Sequence, residues 1–159
     1  MARRTPSELD RLFGRDFELR YTSSGGFFED ADLVAESDGQ ALRGRDLRVA
    51  AGIANLEQAI ANRLKTRRGE LAPLGHPEYG SRHHELAGEP NVERTRNLIK
   101  LRVLQALRDE PRIERVLAAS VRAEHDPPRE TVRIEISVRV IDRPLPLELV
   151  VPFSLEGSA

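Results

Sequence analysis

The chain has 159 residues and a mass of 17.9 kDa, the size of one ordinary domain or of one domain with an extended arm. Its 25 basic and 26 acidic residues leave a net charge of −1, and it has no cysteine or tryptophan. This composition excludes a disulfide framework, a thiol nucleophile, a thiolate metal site and a strongly basic nucleic-acid coat. No apolar run approaches the roughly 20 residues that span a bilayer, and the N-terminus has no signal-peptide pattern. We therefore expect a soluble, cytosolic domain.

Arginine dominates the basic residues. Two of the 25 are lysine, Lys65 and Lys100, so 23 are arginine. Genomic codon bias is one explanation. The other is that arginine is favoured for oriented, bidentate ion pairs at interfaces. Composition alone leaves both explanations open.

Residues 1–43 are predicted to form a partly extended arm. Residues 1–42 carry five basic and nine acidic residues, which limits the apolar surface that the segment can bury by itself. The alternation of apolar and charged residues over Phe17–Tyr21 predicts one short strand. The run Ser23–Gly26 is a loop signal.

The middle of the chain is predicted to be helical. Apolar residues recur every three or four positions between residues 49 and 64, which predicts a helix whose firm part is Ala54–Lys65 and whose stop signal is Gly69. A short helical turn, Arg82–Leu86, is predicted next, with Ser81 as its cap.

A second long helix is predicted from the Pro90–Asn91 start to about Asp109, with Asn91 as its N-cap and Pro111 beyond its end. Its apolar residues cover more than one stripe, which predicts burial on two sides.

The last third is predicted to be a three-strand meander. The strands are Arg115–Glu124, Val132–Val140 and residues 147–155, of which the second has the clearest period-2 alternation. Pro152 removes one backbone donor, so the final strand is predicted to be an edge. The fold class is thus α+β, with two main helices followed by a three-strand antiparallel β-meander and an extended N-terminal arm.

No catalytic, cofactor or metal site is predicted. Adjacent residues on a helix point about 100° apart, so His83 and His84 cannot share a metal as an i, i+4 pair does, and we interpret both as surface histidines. Serine nucleophile elbows, phosphate loops and dinucleotide fingerprints are missing.

Residues 43–68 form a basic segment, with seven basic residues against two acidic ones. Such a helix end could contact phosphates. The favoured alternative is that its arginines pair with acids elsewhere, for example in the acidic stretch 29–38. Nucleic acid is therefore not a predicted partner.

Three short motifs follow one another in a characteristic order. They are Leu64–Leu71 (LKTRRGEL), His76–Ser81 (HPEYGS) and Leu107–Ile113 (LRDEPRI). In this order and context they resemble the gpW-like baseplate wedge family. Its pattern is a helix ending in Leu-x-Thr-x-x-Gly-Glu, a Pro-x-Tyr/Phe-Gly turn, a second helix, a Glu-Pro-Arg motif and a β-meander. This chain matches each step over residues 44–155, which we take as the domain, with 156–159 as a flexible C-terminus.

The resemblance implies a function. The family includes the sheath initiator of contractile phage tails, the E component of type VI secretion systems and a subunit of extracellular contractile injection particles. By resemblance the chain is a structural subunit that binds baseplate wedge proteins and starts the sheath by β-strand exchange with the first-ring sheath protein. Tube or hub proteins are further candidate partners. A ring with six copies is implied, assembled in the cytoplasm and then part of the particle, without nucleic acid, membrane insertion or cofactor.

The resemblance also implies the protein-interface residues. The Glu-Pro-Arg motif is implicated in docking to the wedge core, and the final strand in sheath recruitment. The predicted interface residues are Glu110, Pro111, Arg112, Arg67, Arg68, Gly69, Glu70, Tyr79, Gly80, Leu147, Leu149, Val151 and Phe153. Glu110 and Arg112 could instead form an internal ion pair, and Gly69–Glu70 could simply stabilise a turn. A small protein-binding adaptor on the same fold is the alternative function. A lysozyme-like hydrolase is a third, for which these residues give no support.

Overall fold

A computed structural model describes residues 6–24, 28–36, 46–126 and 129–156. The chain divides into two compact units, Met1–Ala59 and Ile60–Ala159. Several expectations from the sequence lie outside the described residues: the loop at 25–26, Arg43 and Arg45 of the basic segment, the turn residues 127–128, and residues 157–159.

The first unit begins with a helix and continues in short strands. Helix α1 (Pro6–Phe13) was not predicted. Within the described residues of this unit, six strands follow: β1 (Arg15–Phe17), β2 (Leu19–Ser24), β3 (Phe28–Leu33), β4 (Ala35–Glu36), β5 (Asp46–Leu47) and β6 (Val49–Ala51). They form three antiparallel two-stranded ribbons, β1–β6, β2–β3 and β4–β5. The single strand predicted at Phe17–Tyr21 is thus divided at Glu18 between two ribbons.

The three ribbons meet in what we call the three-way junction, formed by Glu18, Val34 and Arg48. Their backbones are bonded in a ring: Glu18 donates to Arg48 (2.8 Å), Arg48 to Val34 (2.8 Å) and Val34 to Glu18 (3.0 Å). The Gln58 side chain donates to the Phe17 carbonyl and accepts from the Leu19 N–H, both at 2.8 Å. The backbone around Glu18 is therefore satisfied on both sides.

The second unit has the predicted α+β order. Helix α2 (Ile53–Lys65) begins in the first unit and ends in the second. It is followed by 3-10 turns at Ala72–Leu74 and Arg82–Leu86, then by α3 (Glu93–Arg108), β7 (Ile113–Ala123), β8 (Thr131–Val140) and β9 (Leu147–Ser154). The three strands form one antiparallel sheet in the order β7-β8-β9. The helices and the meander predicted from the sequence are confirmed.

The core of this unit follows from the apolar periodicity. Residues along β8 point alternately toward the core and away from it, and one stripe of each long helix is buried. The most deeply buried apolar side chains of the unit are Ile60, Leu64, Ile99, Val103, Leu107, Val132, Ile134, Ile136, Val138 and Val140.

Two details of α3 differ from the prediction. Its N-cap is Val92, not Asn91. The Asn91 side chain instead donates to the Arg129 carbonyl and accepts from Arg96 Nη1 at 2.8 Å. The prediction of burial on two sides is also wrong, because Leu98 and Leu101 are exposed. No helix of the described residues is long and apolar enough to cross a membrane.

Candidate functional site

The Glu-Pro-Arg motif forms a buried ion pair at the corner between α3 and β7. The Arg112 guanidinium donates to both oxygens of the Glu110 carboxylate, from Nε to Oε1 at 2.6 Å and from Nη2 to Oε2 at 3.0 Å. The Arg112 backbone N–H also donates to Oε1, at 3.3 Å. The Glu110 side chain is 3% exposed and that of Arg112 is 18% exposed. Of the two roles left open by the sequence, the internal pair is thus present within the chain.

Arg63 of α2 is a member of this site that the sequence analysis missed. Its Nη2 atom lies 3.7 Å from Glu110 Oε2, and its guanidinium carbon lies 4.6 Å from the centre of the Tyr79 ring. Its Nε is buried without a hydrogen-bond partner. The only sequence signal was a basic residue beside the apolar stripe, one position before Leu64. Arg63 links the Tyr-Gly motif to the Glu-Pro-Arg motif.

The charge state of Glu110 follows from this arrangement. Burial alone raises the pKa of the Glu110 carboxyl, but the hydrogen bonds and charge of Arg112, with the charge of Arg63, outweigh burial. The net pKa therefore lies below its ordinary value. The carboxylate stays ionised at neutral pH and acts as a fixed acceptor between two arginines.

The Gly-Glu motif forms a bonded turn after α2, which already ends at Lys65. Gly69 has a φ of 88°, which a glycine adopts at no steric cost. Glu70 Oε2 accepts from the Arg67 backbone N–H at 2.9 Å, and the Glu70 N–H donates to the Arg67 carbonyl at 3.0 Å. The turn-stabilising role that the sequence left open for these residues is therefore present.

The Tyr-Gly motif brings a second chain segment against that turn. Gly80 has a φ of 100°, and a Cβ atom there would lie 2.7 Å from the carbonyl oxygens of both Thr66 and Arg67. Ser81 donates to the Thr66 carbonyl at 2.9 Å and accepts from the Arg68 N–H at 3.1 Å. Only glycine permits this close approach of two backbones.

Arg68 joins the motifs through a surface ion-pair network. It pairs with Glu78 of the His76–Ser81 motif and with Asp109 of the Leu107–Ile113 motif, the latter at 3.7 Å. The structure thus brings all three motifs together. We call the resulting set the motif cluster: Arg63, Arg67, Arg68, Gly69, Glu70, Glu78, Tyr79, Gly80, Asp109, Glu110, Pro111 and Arg112.

Three arginines of the basic segment, residues 43–68, form ion pairs within the chain. Arg63 and Arg68 pair as described, and Arg48 pairs with Glu18 at 3.1 Å. These arginines pair with acids of the chain, as the favoured alternative predicted, but the acids lie outside the stretch 29–38.

Two exposed residues of the motif cluster, Arg67 and Pro111, form what we call its rim.

The last four predicted interface residues lie apart from the motif cluster, on β9. Leu147, Leu149 and Val151 are buried in their own unit. Phe153 is partly buried, with its ring centre 4.5 Å from that of His83. These side chains point into the core, so the role predicted for this segment concerns the backbone edge of the strand.

The outer edge of β9 can be read from the register. Leu155 donates to the Glu130 carbonyl at 2.8 Å, and hydrogen-bonded pairs alternate along an antiparallel ladder. Residues 147, 149, 151 and 153 therefore turn their backbone groups toward β8. The outward groups belong to Glu148, Val150, Pro152 and Ser154. Among the strands that the structure describes, none pairs with this edge.

The histidines differ from their prediction. His83 is 1% exposed rather than a surface residue, and its Nδ1 lies 2.8 Å from Ser81 Oγ. His84 Nε2 lies 2.8 Å from the Leu64 carbonyl. Burial, with a smaller contribution from His84, lowers the pKa of His83 to about 3. No group of residues within the described ranges could hold a metal ion.

Comparison with known proteins gives consistent matches. The family model described as baseplate wedge protein gp25 matches residues 50–145. The crystal structure at 1.44 Å of a Geobacter sulfurreducens protein, provisionally assigned as a tail lysozyme, is 29% identical with a TM-score of 0.56, over 66% of this chain and 92% of that one. A chain of the type VI secretion system baseplate complex is 21% identical with a TM-score of 0.51, over 66% and 94%. This second match shows the fold alone. No curated protein sequence matches the chain.

Proposed function

We propose that this chain, which belongs to the baseplate wedge protein gp25 family, docks to neighbouring wedge proteins and starts the contractile sheath. The chain is a structural baseplate component of the contractile-tail and type VI secretion kind. In the proposal, the rim of the motif cluster binds wedge proteins and the outer edge of β9 pairs with a strand of the first sheath ring. We expect six copies in a ring, assembled in the cytoplasm.

The unpaired edge of β9 is the observation that carries the sheath proposal. An unpaired strand edge offers backbone donors and acceptors to an incoming strand. The opposite edge of the sheet is less suitable, because β7 has register shifts between Ile113 and Arg115 and between Val116 and Ala118. Such bulges twist an edge and interrupt further pairing. The edge of β9 is regular by comparison, with one donor missing at Pro152.

The test removes one outward donor from β9. Val150 is half-exposed and its N–H points outward, so Val150→Pro deletes that donor without removing a bond to β8. We expect this variant to keep its thermal stability and its binding to wedge proteins but to recruit sheath protein at least tenfold less. Val150→Thr keeps the N–H and should behave as wild type. Normal sheath polymerisation on Val150→Pro particles would contradict the proposal.

Deletion of residues 147–159 is a poorer test of the same idea. It would remove Leu147, Leu149 and Val151 from the core together with the edge. Loss of sheath recruitment could then follow from unfolding alone. Val150→Pro, by contrast, changes the edge of the strand without removing a side chain from the core.

Wedge docking is tested on the rim of the motif cluster. Arg67→Ala and Pro111→Ala change exposed side chains, and we expect either to weaken co-purification with the wedge proteins. The melting temperature of Pro111→Ala is measured alongside, because Pro111 also lies in the turn between Glu110 and Arg112. Arg122→Ala is the matched control, since Arg122 is 72% exposed on β7 and makes one long pair with Glu135 at 3.7 Å. Equal co-purification of the rim variants and this control would count against docking through the motif cluster.

The relative assigned as a tail lysozyme makes hydrolysis the second candidate. A glycosidase needs a carboxylic acid with a raised pKa to protonate the leaving oxygen. Glu110 has the opposite environment, because two arginines hold it ionised, and Glu70 accepts a backbone hydrogen bond in its turn. We therefore propose that the chain is not an enzyme. Release of soluble fragments from peptidoglycan by the wild type, lost in Glu110→Gln or Glu70→Gln, would contradict this.

A further inference from the structure

One face of the three-way junction is made of apolar side chains. Successive strand residues point to opposite faces, and directly paired residues share a face. The registers pair Phe17 with Val49, Leu19 with Leu33, and Ala35 with Leu47. Each of the six is next to a residue of the junction ring, so all lie on the face opposite the ring side chains. We call them the apolar junction face: Phe17, Leu19, Leu33, Ala35, Leu47 and Val49.

This apolar face is exposed. Phe17, Leu33 and Val49 are 51%, 52% and 53% exposed, and Leu47 is 38% exposed. On the other face Val34 is buried. Single exposed apolar residues are ordinary, but a contiguous set across three ribbons marks an interaction surface.

The face continues along two ribbons with little charge. Arg15 pairs with Ala51 and Tyr21 with Ala31 on the same side of their ribbons. Arg15, at the outer end of the β1–β6 ribbon, is the one charged residue among these ten positions, and the next pair along the β2–β3 ribbon is Ser23 with Glu29. Burying an unpaired charge on such a surface is costly, so an occupant must present apolar side chains to the centre.

The backbone restricts how an occupant can bind. The N–H groups of Glu18, Val34 and Arg48 are bonded in the ring, and the Phe17 carbonyl and Leu19 N–H are bonded to Gln58. These groups are therefore not available to an added strand, unlike the outward groups of β9. Recognition there depends on side-chain packing, and an amphipathic helix supplies an apolar stripe at i, i+3, i+4 and i+7.

The size of the face argues against a second copy of the chain as the occupant. Four partly exposed side chains of this kind offer about 400 Å² of apolar surface. A stable dimer buries roughly 800 Å² on each partner. A single helix that is held elsewhere by a larger assembly needs less surface of its own, because the remaining contacts share the cost of association.

We propose that the apolar junction face binds the apolar stripe of an amphipathic helix from a neighbouring baseplate protein. This rests on the proposed function for the identity of the neighbour. All six residues precede the matched residues 50–145, so the face is formed by a part of the chain outside the family match. It provides a docking site additional to the motif cluster and the edge of β9.

The first test identifies the occupant by photo-crosslinking. A benzoylphenylalanine replaces Leu47 in the full chain, which is co-expressed with candidate wedge proteins of a contractile baseplate. The control replaces Leu117 on β7, which is 39% exposed against 38% for Leu47. We expect position 47 to crosslink to an apolar stripe of a wedge-protein helix, at least tenfold more than position 117. Crosslinks to a second copy, crosslinks within the chain, or no excess over position 117 would overturn the proposal.

The second test measures affinity for the purified wedge proteins. We expect the double variant Leu33→Asp/Leu47→Asp to bind at least tenfold more weakly, and Leu117→Asp to bind within twofold of wild type. If the aspartates lower the melting temperature, Leu33→Thr/Leu47→Thr keeps strand propensity and should still bind about threefold more weakly. Unchanged binding by both double variants refutes this inference alone. A wild-type chain that does not bind the wedge proteins refutes the proposed function and this inference with it.

Discussion

Arg112→Ala should destabilise the second unit strongly, because it leaves a buried carboxylate short of its main partner. Glu110 is 4% exposed and accepts three hydrogen bonds from Arg112. The remaining cation is Arg63 at 3.7 Å. Removing one partner of a buried pair costs about 3–5 kcal/mol. Since Arg63 remains and Arg112 is 18% exposed, we expect the lower end, about 3 kcal/mol.

Urea unfolding at two pH values measures this prediction. The folded-state pKa of Glu110 is lowered, so its stabilising contribution is complete above the ordinary carboxyl pKa of 4.5 and is lost as pH falls through the folded value. The stability gap between wild type and Arg112→Ala should therefore be largest at pH 7 and shrink below pH 4.5. Glu110→Gln/Arg112→Ala should recover part of the loss at pH 7, because it removes the unpaired charge.

The control is again Arg122→Ala, whose exposed pair with Glu135 should contribute less than about 0.5 kcal/mol. The predicted stabilisation by the Glu110–Arg112 pair is refuted if Arg112→Ala lowers the free energy of unfolding no more than Arg122→Ala does at pH 7. It is also refuted if the gap between wild type and Arg112→Ala stays constant from pH 7 to pH 3.

Three further predictions concern the glycines of the motif cluster and the buried contact between Ser81 and His83. Gly80→Ala should cost more than about 2 kcal/mol in urea unfolding because its Cβ would meet two carbonyl oxygens at 2.7 Å, while Gly69→Ala, with open space, should cost about 1 kcal/mol; equal losses would contradict the close approach. Ser81→Ala should lower the free energy of unfolding by about 1–2 kcal/mol, because it leaves the buried His83 ring without its hydrogen-bond partner at 2.8 Å. A loss below about 0.5 kcal/mol would count against a stabilising role of this hydrogen bond. The pKa of His83 near 3 lies below its ordinary 6.5, so stability should fall by about 1.4 kcal/mol per pH unit below 6.5, and His83→Gln should show a shallower fall between pH 6.5 and 5.

The sequence predicts the regular elements of the second unit because each follows one strong period. The apolar spacing of α2 and the alternation of β8 both match the buried stripe and face that the structure shows. The three-way junction has no such signal. Its strands are two to six residues long, and although β2 and β3 form a local hairpin, β1 pairs with β6 at the far end of the unit. The local pattern around Phe17–Tyr21 therefore reveals one strand but not its two partners.

The motifs predict where the candidate site lies but not how its atoms are used. Glu110 and Arg112 were expected together, and their pairing within the chain depends on the turn at Pro111. Arg63 could not be predicted, because its role depends on α2 lying beside the corner and on Tyr79 reaching it. The burial of His83 could not be predicted either, because it depends on tertiary packing that places Phe153 of β9 against its ring.

In the proposed function, bracing and docking fall on different residues of the motif cluster. Glu110 is almost inaccessible, so in the proposed docking a partner protein contacts the exposed Arg67 and Pro111 rather than Glu110. A loss of wedge binding in Arg112→Ala follows from a misshapen corner if it scales with the loss of stability. A loss of binding in Arg67→Ala at unchanged stability has a different cause, because that side chain is exposed and makes no bond that the fold requires. Comparing the two variants for both binding and unfolding therefore separates a brace that shapes the interface from a residue that contacts the partner.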